Sequence, residues 1–217
     1  MSGYSTRVTT VPVGGHDYRI RSLSDRQQFA DPFGRAAKAG ISSANWSLFG
    51  EIWPSGRLLA EAMAEFDITG KRILELGCGL GLASLVLMRR GADVTDSDHH
   101  PLAELFLWHN AGLNDLGIPH FHDLEWAVPD DGLGRFELII ASDVLYERDH
   151  AALLAALCER HAQPKSEIVI TDPGRGNSGS LTRALALQGF GVEETRSRFD
   201  ADDRPPFRGR LLHYRRG

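Results

Sequence analysis

The sequence predicts an α/β fold: a Rossmann-like, seven-stranded, mostly parallel sheet with helices on both faces. Three observations predict it. From about Lys71, short β-like runs alternate with longer helical ones, as βαβ units require. Leu138, Ile139 and Ile140 run together without polar alternation, as in a strand covered on both faces. One strand candidate also leads straight into Gly77-Cys78-Gly79-Leu80-Gly81 and then into a helical pattern, the order in which such folds place a ligand-binding turn.

The elements follow in chain order. Two β-like runs, 11–13 and 18–21, flank Gly14-Gly15 and suggest a hairpin. A helix over 54–66 opens with Pro54 and puts Leu58, Leu59, Ala62, Met63 and Phe66 on one face. Strand candidates are 72–76, 93–95, 120–122, 136–141, 167–171, 191–197 and 211–214. Between them, 82–90, 102–116, 150–161 and 180–188 carry apolar residues at three- and four-residue spacing and read as crossover helices. The expected division is an N-terminal extension over 1–45, a possible hairpin, and one domain over 46–217, with no internal repeat or low-complexity tract.

Composition narrows the classes. A chain of 217 residues with 42% apolar and 24% charged side chains suits one globular domain. No run approaches the ~20 apolar residues of a membrane helix, and the first residues have no apolar signal core, so no membrane association and a cytoplasmic location are expected. Two distant cysteines, Cys78 and Cys158, indicate neither a disulfide framework nor a zinc knuckle. The net charge of −5 argues against nucleic-acid binding. A locally basic run (Arg196, Arg198, Arg204, Arg208, Arg210, Arg215, Arg216, with acids at Asp200, Asp202 and Asp203) reads as a solvated strand face.

The glycine turn is the strongest chemical signal, because bare backbone at a helix N-terminus lets a ligand lie close. Its G-x-G-x-G form is shorter than the G-x-G-x-x-G of dinucleotide folds, and Glu75 stands two residues before the first glycine. That favours S-adenosylmethionine, which is cationic and has no pyrophosphate to seat. Roughly 20 residues on comes Asp96-Ser97-Asp98, where such folds place a carboxylate for the ribose hydroxyls; Asp98, three residues before Pro101, is the better candidate. Ser142, Asp143 and Tyr146 follow the fourth strand candidate, and ligands of open α/β sheets bind at the carboxyl ends of strands. Asp143 and Tyr146 therefore belong in the same cleft as the glycine turn, and Ser142 is counted with the cofactor-binding residues.

In Trp53-Pro54, ILELGCGLGL, Asp98-x-x-Pro101, Asn110 with Asn114, Leu124-Glu125-Trp126 and Asp143-Val-Leu-Tyr146, the chain resembles the methyltransferase-16 family, the lysine methyltransferase-like group of seven-stranded S-adenosylmethionine-dependent methyltransferases. A looser match continues through Thr171-Asp172-Pro173-Gly174-Arg175. The resemblance implies that Glu75, Gly77 and Gly79 line the methionine end of the cofactor, that Asp98 binds its ribose and Trp126 its adenine, and that Trp53 closes the site. It places Asp143 and Tyr146, as the D-x-x-Y motif, at the acceptor.

Methyl transfer from a sulfonium is an in-line displacement, so catalysis is largely positioning of a deprotonated amine, which a carboxylate such as Asp143 can orient. The acceptor implied is a protein lysine; a small-molecule amine such as nicotinamide stays open. A nicotinamide-dependent oxidoreductase would share the turn but calls for a longer glycine motif and a hydride-transfer centre. A non-catalytic relative would not need the acids at Glu75, Asp98 and Asp143. The histidines, including His99-His100 and His120-x-His122, complete no metal-ligand spacing, and no metal is expected. Cys78 has no evident base partner, while Trp46, Phe106 and Trp108 read as core or rim residues.

Overall fold

The computed structural model describes residues 4–25, 34–38, 40–46, 48–199 and 207–217. Its elements are β1 (Thr6–Val13), β2 (His16–Leu23), two single-turn helices α1 (Arg35–Lys38) and α2 (Ser43–Trp46), and α3 (Pro54–Glu65). Then come β3 (Arg72–Leu76), α4 (Leu82–Arg89), β4 (Asp93–Asp98), α5 (Ala103–Leu113), β5 (His120–Asp123) and β6 (Phe136–Ser142). The chain ends with α6 (His150–His161), β7 (Ala162–Asp172), α7 (Ser178–Leu187), β8 (Gly191–Phe199) and β9 (Phe207–Arg216).

Seven strands form one sheet in the order β5-β4-β3-β6-β7-β9-β8. The first five neighbours are parallel, and β9 runs antiparallel between β7 and β8. The chain winds outward from β3 through β4 to β5 and then returns to place β6 on the other side of β3. That reversal opens a crevice at the carboxyl ends of β3 and β6, where ligands of this architecture dock.

Side chains alternate across the sheet and are apolar both ways. Ile73, Leu138, Ile140 and Val169 join a core with α3, α4 and α5. Leu74, Leu76, Ile139, Ala141, Ile168 and Ile170 join another with α6 and α7. This is why the β6 sequence shows no polar phase.

The hairpin β1–β2 turns at Gly14-Gly15, whose φ values of 55° and 78° are the left-handed pair that a two-residue loop needs. Val11, Val13, Tyr18, Ile20 and Leu23 insert into the α3–α5 core. The outer edge of β2 is met by Asn110 of α5 and by Asn114 at its C-cap, four residues on. Each amide accepts one backbone N–H and donates to the same residue's carbonyl, Asn110 with Arg21 and Asn114 with Arg19. Two side chains thus complete the strand's hydrogen bonds as a third strand would. Asn110 also donates to the Leu80 carbonyl, tying the hairpin to the glycine turn.

Several boundaries differ from expectation: β1 and β9 begin earlier, at Thr6 and Phe207, and α5 ends earlier, at Leu113. β4 runs on through Asp96-Ser97-Asp98, a polar stretch that reads as loop. Pro101 lies in a turn before α5 rather than opening it, and β7 begins at Ala162, pairing there with Phe136. In the basic C-terminal run, Asp200, Asp202, Asp203 and Arg204 lie outside the described residues. Among those described, Arg210 and Arg215 pair with Glu194 and Glu193 across the β8–β9 ladder. No helix among the described residues is long and apolar enough to cross a membrane.

Candidate functional site

Each glycine of the turn has a positive φ: Gly77 65°, Gly79 56° and Gly81 78°. Their surroundings differ. A Cβ on Gly81 would collide with Leu107, so that glycine serves close packing of α4 against α5. On Gly77 it would press on Val144 at 3.1 Å and touch Trp126 at 4.0 Å. On Gly79 it would meet nothing within 4 Å. The turn thus opens onto free space at Gly79, as a backbone approached by a ligand should.

Gly81 is the N-cap of α4 and offers no side-chain cap. Glu75 supplies it instead: Oε2 accepts the Ser84 backbone N–H at 3.0 Å and the Ser84 hydroxyl. A carboxylate therefore occupies the helix N-terminus where a dinucleotide fold would seat a pyrophosphate. This removes the ground for the nicotinamide-dependent alternative.

Glu75 is only 3% exposed and lies directly across the ladder from Asp96, which is 0% exposed. Burial, and then the neighbouring Asp96, push the Glu75 carboxyl up to about 8, against the Ser84 hydrogen bonds that favour its charged form. Burial likewise lifts Asp96 to about 7. Asp98 stands one pleat further on, at the strand end. Its Oδ2 accepts the Gly79 N–H at 2.8 Å and its Oδ1 the His100 N–H at 2.8 Å. Of the two aspartates, Asp98 is the one in direct contact with the open turn.

The other wall is built by β6 and β7. Ser142 lies against the first turn of α3, where a Cβ on Gly56 would sit 3.6 Å from its hydroxyl. Thr171 Oγ1 donates to the Ser55 carbonyl at 2.8 Å and fastens the same helix end over β7. Trp53 precedes that turn, with its indole N–H donated to the Leu48 carbonyl at 2.9 Å. Trp126 extends from the loop after β5 and meets the His150 ring edge-on.

Asp143 has φ 55°, a left-handed conformation rare for any residue but glycine and least costly for aspartate and asparagine. Its N–H is held by the Thr171 carbonyl at 2.9 Å. Its carboxylate is gripped by Arg175, whose Nε donates to Oδ1 at 2.7 Å and Nη2 to Oδ2 at 2.9 Å. Tyr146 is 42% exposed and packs edge-on against His150, with ring centroids 4.5 Å apart. Burial, then the charges of Asp98, Glu147 and Asp143, raise its hydroxyl pKa, so it stays a neutral donor.

Arg175 is the residue that sequence reasoning missed as a site member. The available signal was its place after the carboxyl end of the neighbouring strand; its partner could not be read from spacing. Of the aromatics set aside, Trp46 and Phe106 are buried, whereas Trp108 is 48% exposed. His122 pairs with Asp130 and His99 with Asp123, while His100 stacks on Phe49 at 4.0 Å. Glu147, Asp149 and His150 bring ligand atoms within 4.8 Å of one another among the described residues, with both carboxylates exposed. A shallow hollow of about 510 Å³ at the opposite sheet end, lined by Lys71, Arg72 and Arg90, is remote from all these groups.

The lysine methyltransferase family profile matches residues 41–180, which include the glycine turn, Asp98, Trp126, Asp143, Tyr146 and Arg175. Protein N-lysine methyltransferase METTL21A of Danio rerio is 33% identical over 153 residues, 64% of this chain and 68% of that protein. The electron transfer flavoprotein beta subunit lysine methyltransferase of Xenopus laevis is 29% identical over 143 residues; there the chain spans about half of the relative, 54%, and the match takes in 62% of this chain. Among solved structures, magnesium protoporphyrin IX methyltransferase from Synechocystis PCC 6803, with bound S-adenosylmethionine, shares the fold at a TM-score of 0.58 and 20% identity, over 74% of this chain and 76% of that one. By its sequence match and by a sheet of the same architecture, the chain belongs to the lysine methyltransferase family of S-adenosylmethionine-dependent enzymes.

Proposed function

We propose that this chain transfers a methyl group from S-adenosylmethionine to a lysine side chain of a protein substrate. One observation carries the reading: an open glycine turn with Asp98 and an acid–tyrosine pair, Asp143 and Tyr146, face one crevice from opposite sides of the sheet's reversal point. The relatives named as N-lysine methyltransferases support a protein lysine as acceptor. The free space at Gly79 and the Glu75, Asp96 and Asp98 carboxyls around it, none paired with a lysine or arginine among the described residues, fit a cationic cofactor.

Bound S-adenosylmethionine supplies a methyl carbon on a sulfonium, open to attack by a nitrogen lone pair. In this reading Asp98 accepts hydrogen bonds from the ribose hydroxyls. Gly77 and Gly79 would keep the backbone bare for the methionine end, and Glu75 would add negative charge below it as its carboxyl, held up to about 8, gives up its proton. Trp126 faces the adenine, Ser142 lines the crevice, and Trp53 closes it from the α3 side. Asp143 would accept an N–H of the acceptor amine and orient its lone pair for attack, and Tyr146 would wall the channel with a neutral hydroxyl. The amine gives its proton to solvent before attack. The cytoplasm is the proposed location, where Cys78 and Cys158, both buried and unpaired, stay reduced.

The test is incubation with methyl-labelled cofactor and dialysed cell lysate, followed by separation by size and hydrolysis. Methyl-lysine in the protein fraction is the expected result. Label only in small molecules on adding back the dialysate would replace the protein acceptor with a small amine.

A further inference from the structure

Arg175 closes on Asp143 with two hydrogen bonds, one to each carboxylate oxygen, and their side chains are 41% and 11% exposed. The charges around Asp143 come from every element packed there. Asp172 ends β7 beside it and is flanked by Arg210 of β9 at 3.7 Å, which also pairs with Glu194 of β8. Tyr146 and Glu147 follow on its own loop, His150 opens α6, and Asp98 lies across the crevice. Among the described residues, Arg175 is the cation hydrogen-bonded to Asp143.

A lone carboxylate at an acceptor site creates a conflict. It attracts an ammonium, and by doing so keeps the proton on, raising an amine's pKa by about 1–3 units. Only the amine without that proton can attack a methyl carbon. A guanidinium already paired with the carboxylate removes the conflict. The pair is neutral overall, yet each carboxylate oxygen keeps a lone pair to receive an N–H.

We propose that Arg175 is a positioning residue for methyl transfer: it cancels the charge that Asp143 would present to the acceptor amine while fixing the carboxylate that orients it. The inference rests on the reading of Asp143 as the acceptor-side acid. Arg175 acts through Asp143, not on the reacting atoms.

The test compares wild type, Arg175→Gln and Arg175→Lys in methyl transfer to dialysed lysate protein, concentrated until the rate saturates, from about pH 6 to about pH 10. n-Butylammonium, a mimic of the lysine side chain, is titrated as an inhibitor at each pH. In Arg175→Gln the midpoint of the rate increase should move up by about one pH unit, and n-butylammonium should bind about tenfold tighter near neutral pH. Arg175→Lys should stay close to wild type, because the countercharge remains. Adding Asp143→Asn to Arg175→Gln should return the midpoint to its original place, since the charge and its cancellation are then both gone.

Circular dichroism and calorimetry with S-adenosylhomocysteine confirm that each variant is folded and binds cofactor. If Arg175→Gln does not fold, Arg175→Lys with a shifted midpoint overturns the proposal. A rate lowered equally at every pH, with unchanged n-butylammonium affinity, also overturns it and leaves Arg175 a mere brace. Unchanged turnover in Asp143→Asn alone would instead sink the reading of Asp143 on which the inference stands.

Discussion

The two walls of the crevice treat their carboxylates differently. On the β3–β4 side, Glu75, Asp96 and Asp98 stand close together, and among the described residues no lysine or arginine pairs with any of them. Burial holds all three above the usual carboxylate range. On the β6–β7 side, Asp143 and Asp172 also end neighbouring strands, but each has an arginine, Arg175 and Arg210. Carboxyls with no arginine or lysine partner among the described residues, which gain charge only as pH rises through their raised pKa values, line the wall where a cationic sulfonium would dock. Carboxylates paired with arginine line the wall proposed for the acceptor amine. The contrast assigns different electrostatic work to groups of identical chemistry, and single substitutions can break it on either side.

The largest effect is expected at Gly79. Valine there would project into the open space above the turn and force a β-branched residue to φ near 56°. S-adenosylhomocysteine binding should vanish in calorimetry while circular dichroism still reports a folded chain. Retained affinity in a folded Gly79→Val protein would mean that the ligand does not approach this backbone.

Next comes the acceptor wall. Asp143→Asn keeps the size of the side chain and loses its charge, so turnover should fall about 10²-fold or more while cofactor affinity stays within a few-fold. Tyr146→Phe should do less. If Asp143→Asn lost cofactor binding as well, Asp143 would belong to the cofactor wall and the division between the walls would fail.

Asp98→Ala tests the cofactor wall more gently. It removes the acceptor for the Gly79 N–H and the one proposed for the ribose hydroxyls, and should weaken S-adenosylhomocysteine binding by ~1–3 kcal/mol. An unchanged dissociation constant would shift the ribose contact elsewhere.

How much of this was legible in the sequence depends on whether a signal is local. Seven strand positions could be read because apolar runs, glycines and helical spacing recur within short windows. β4 was cut short because Asp96-Ser97-Asp98 carries no apolar phase, although its backbone pairs with both β3 and β5. The Asn110 and Asn114 pair stood out in the motif, but its task of hydrogen-bonding the edge of β2 crosses 89 and 95 residues and left no local trace. Arg175 was hidden for the same reason, since its bond to Asp143 spans 32 residues and joins the ends of two strands. The glycine turn showed where a ligand could lie; that Glu75 caps α4 could not be read without the packing of β3 against that helix.

The smallest effect concerns stability, and it tests whether the cofactor wall is strained as its charges suggest. The Glu75 carboxyl lies at about 8 in the folded chain against an ordinary value of 4.5, so between those values the native state holds a proton that the unfolded chain releases. The corresponding stabilisation is present below about pH 4.5 and is lost as pH rises through about 8. His100 works in the opposite direction: burial takes its pKa down to about 3 from 6.5, so its contribution is present above 6.5 and fades in acid. Glu75→Gln leaves His100 unchanged and keeps an oxygen to cap Ser84, yet cannot ionise. Its melting temperature should therefore fall less steeply than that of wild type between about pH 5 and about pH 8. The ratio of S-adenosylmethionine to S-adenosylhomocysteine affinity should also rise with pH in wild type, as Glu75 becomes charged beneath the sulfonium, and rise less in the variant, where Asp96 still titrates. Parallel melting curves and parallel affinity ratios would show that Glu75 is ionised throughout, and the unmatched wall would then be stabilised by something other than a retained proton.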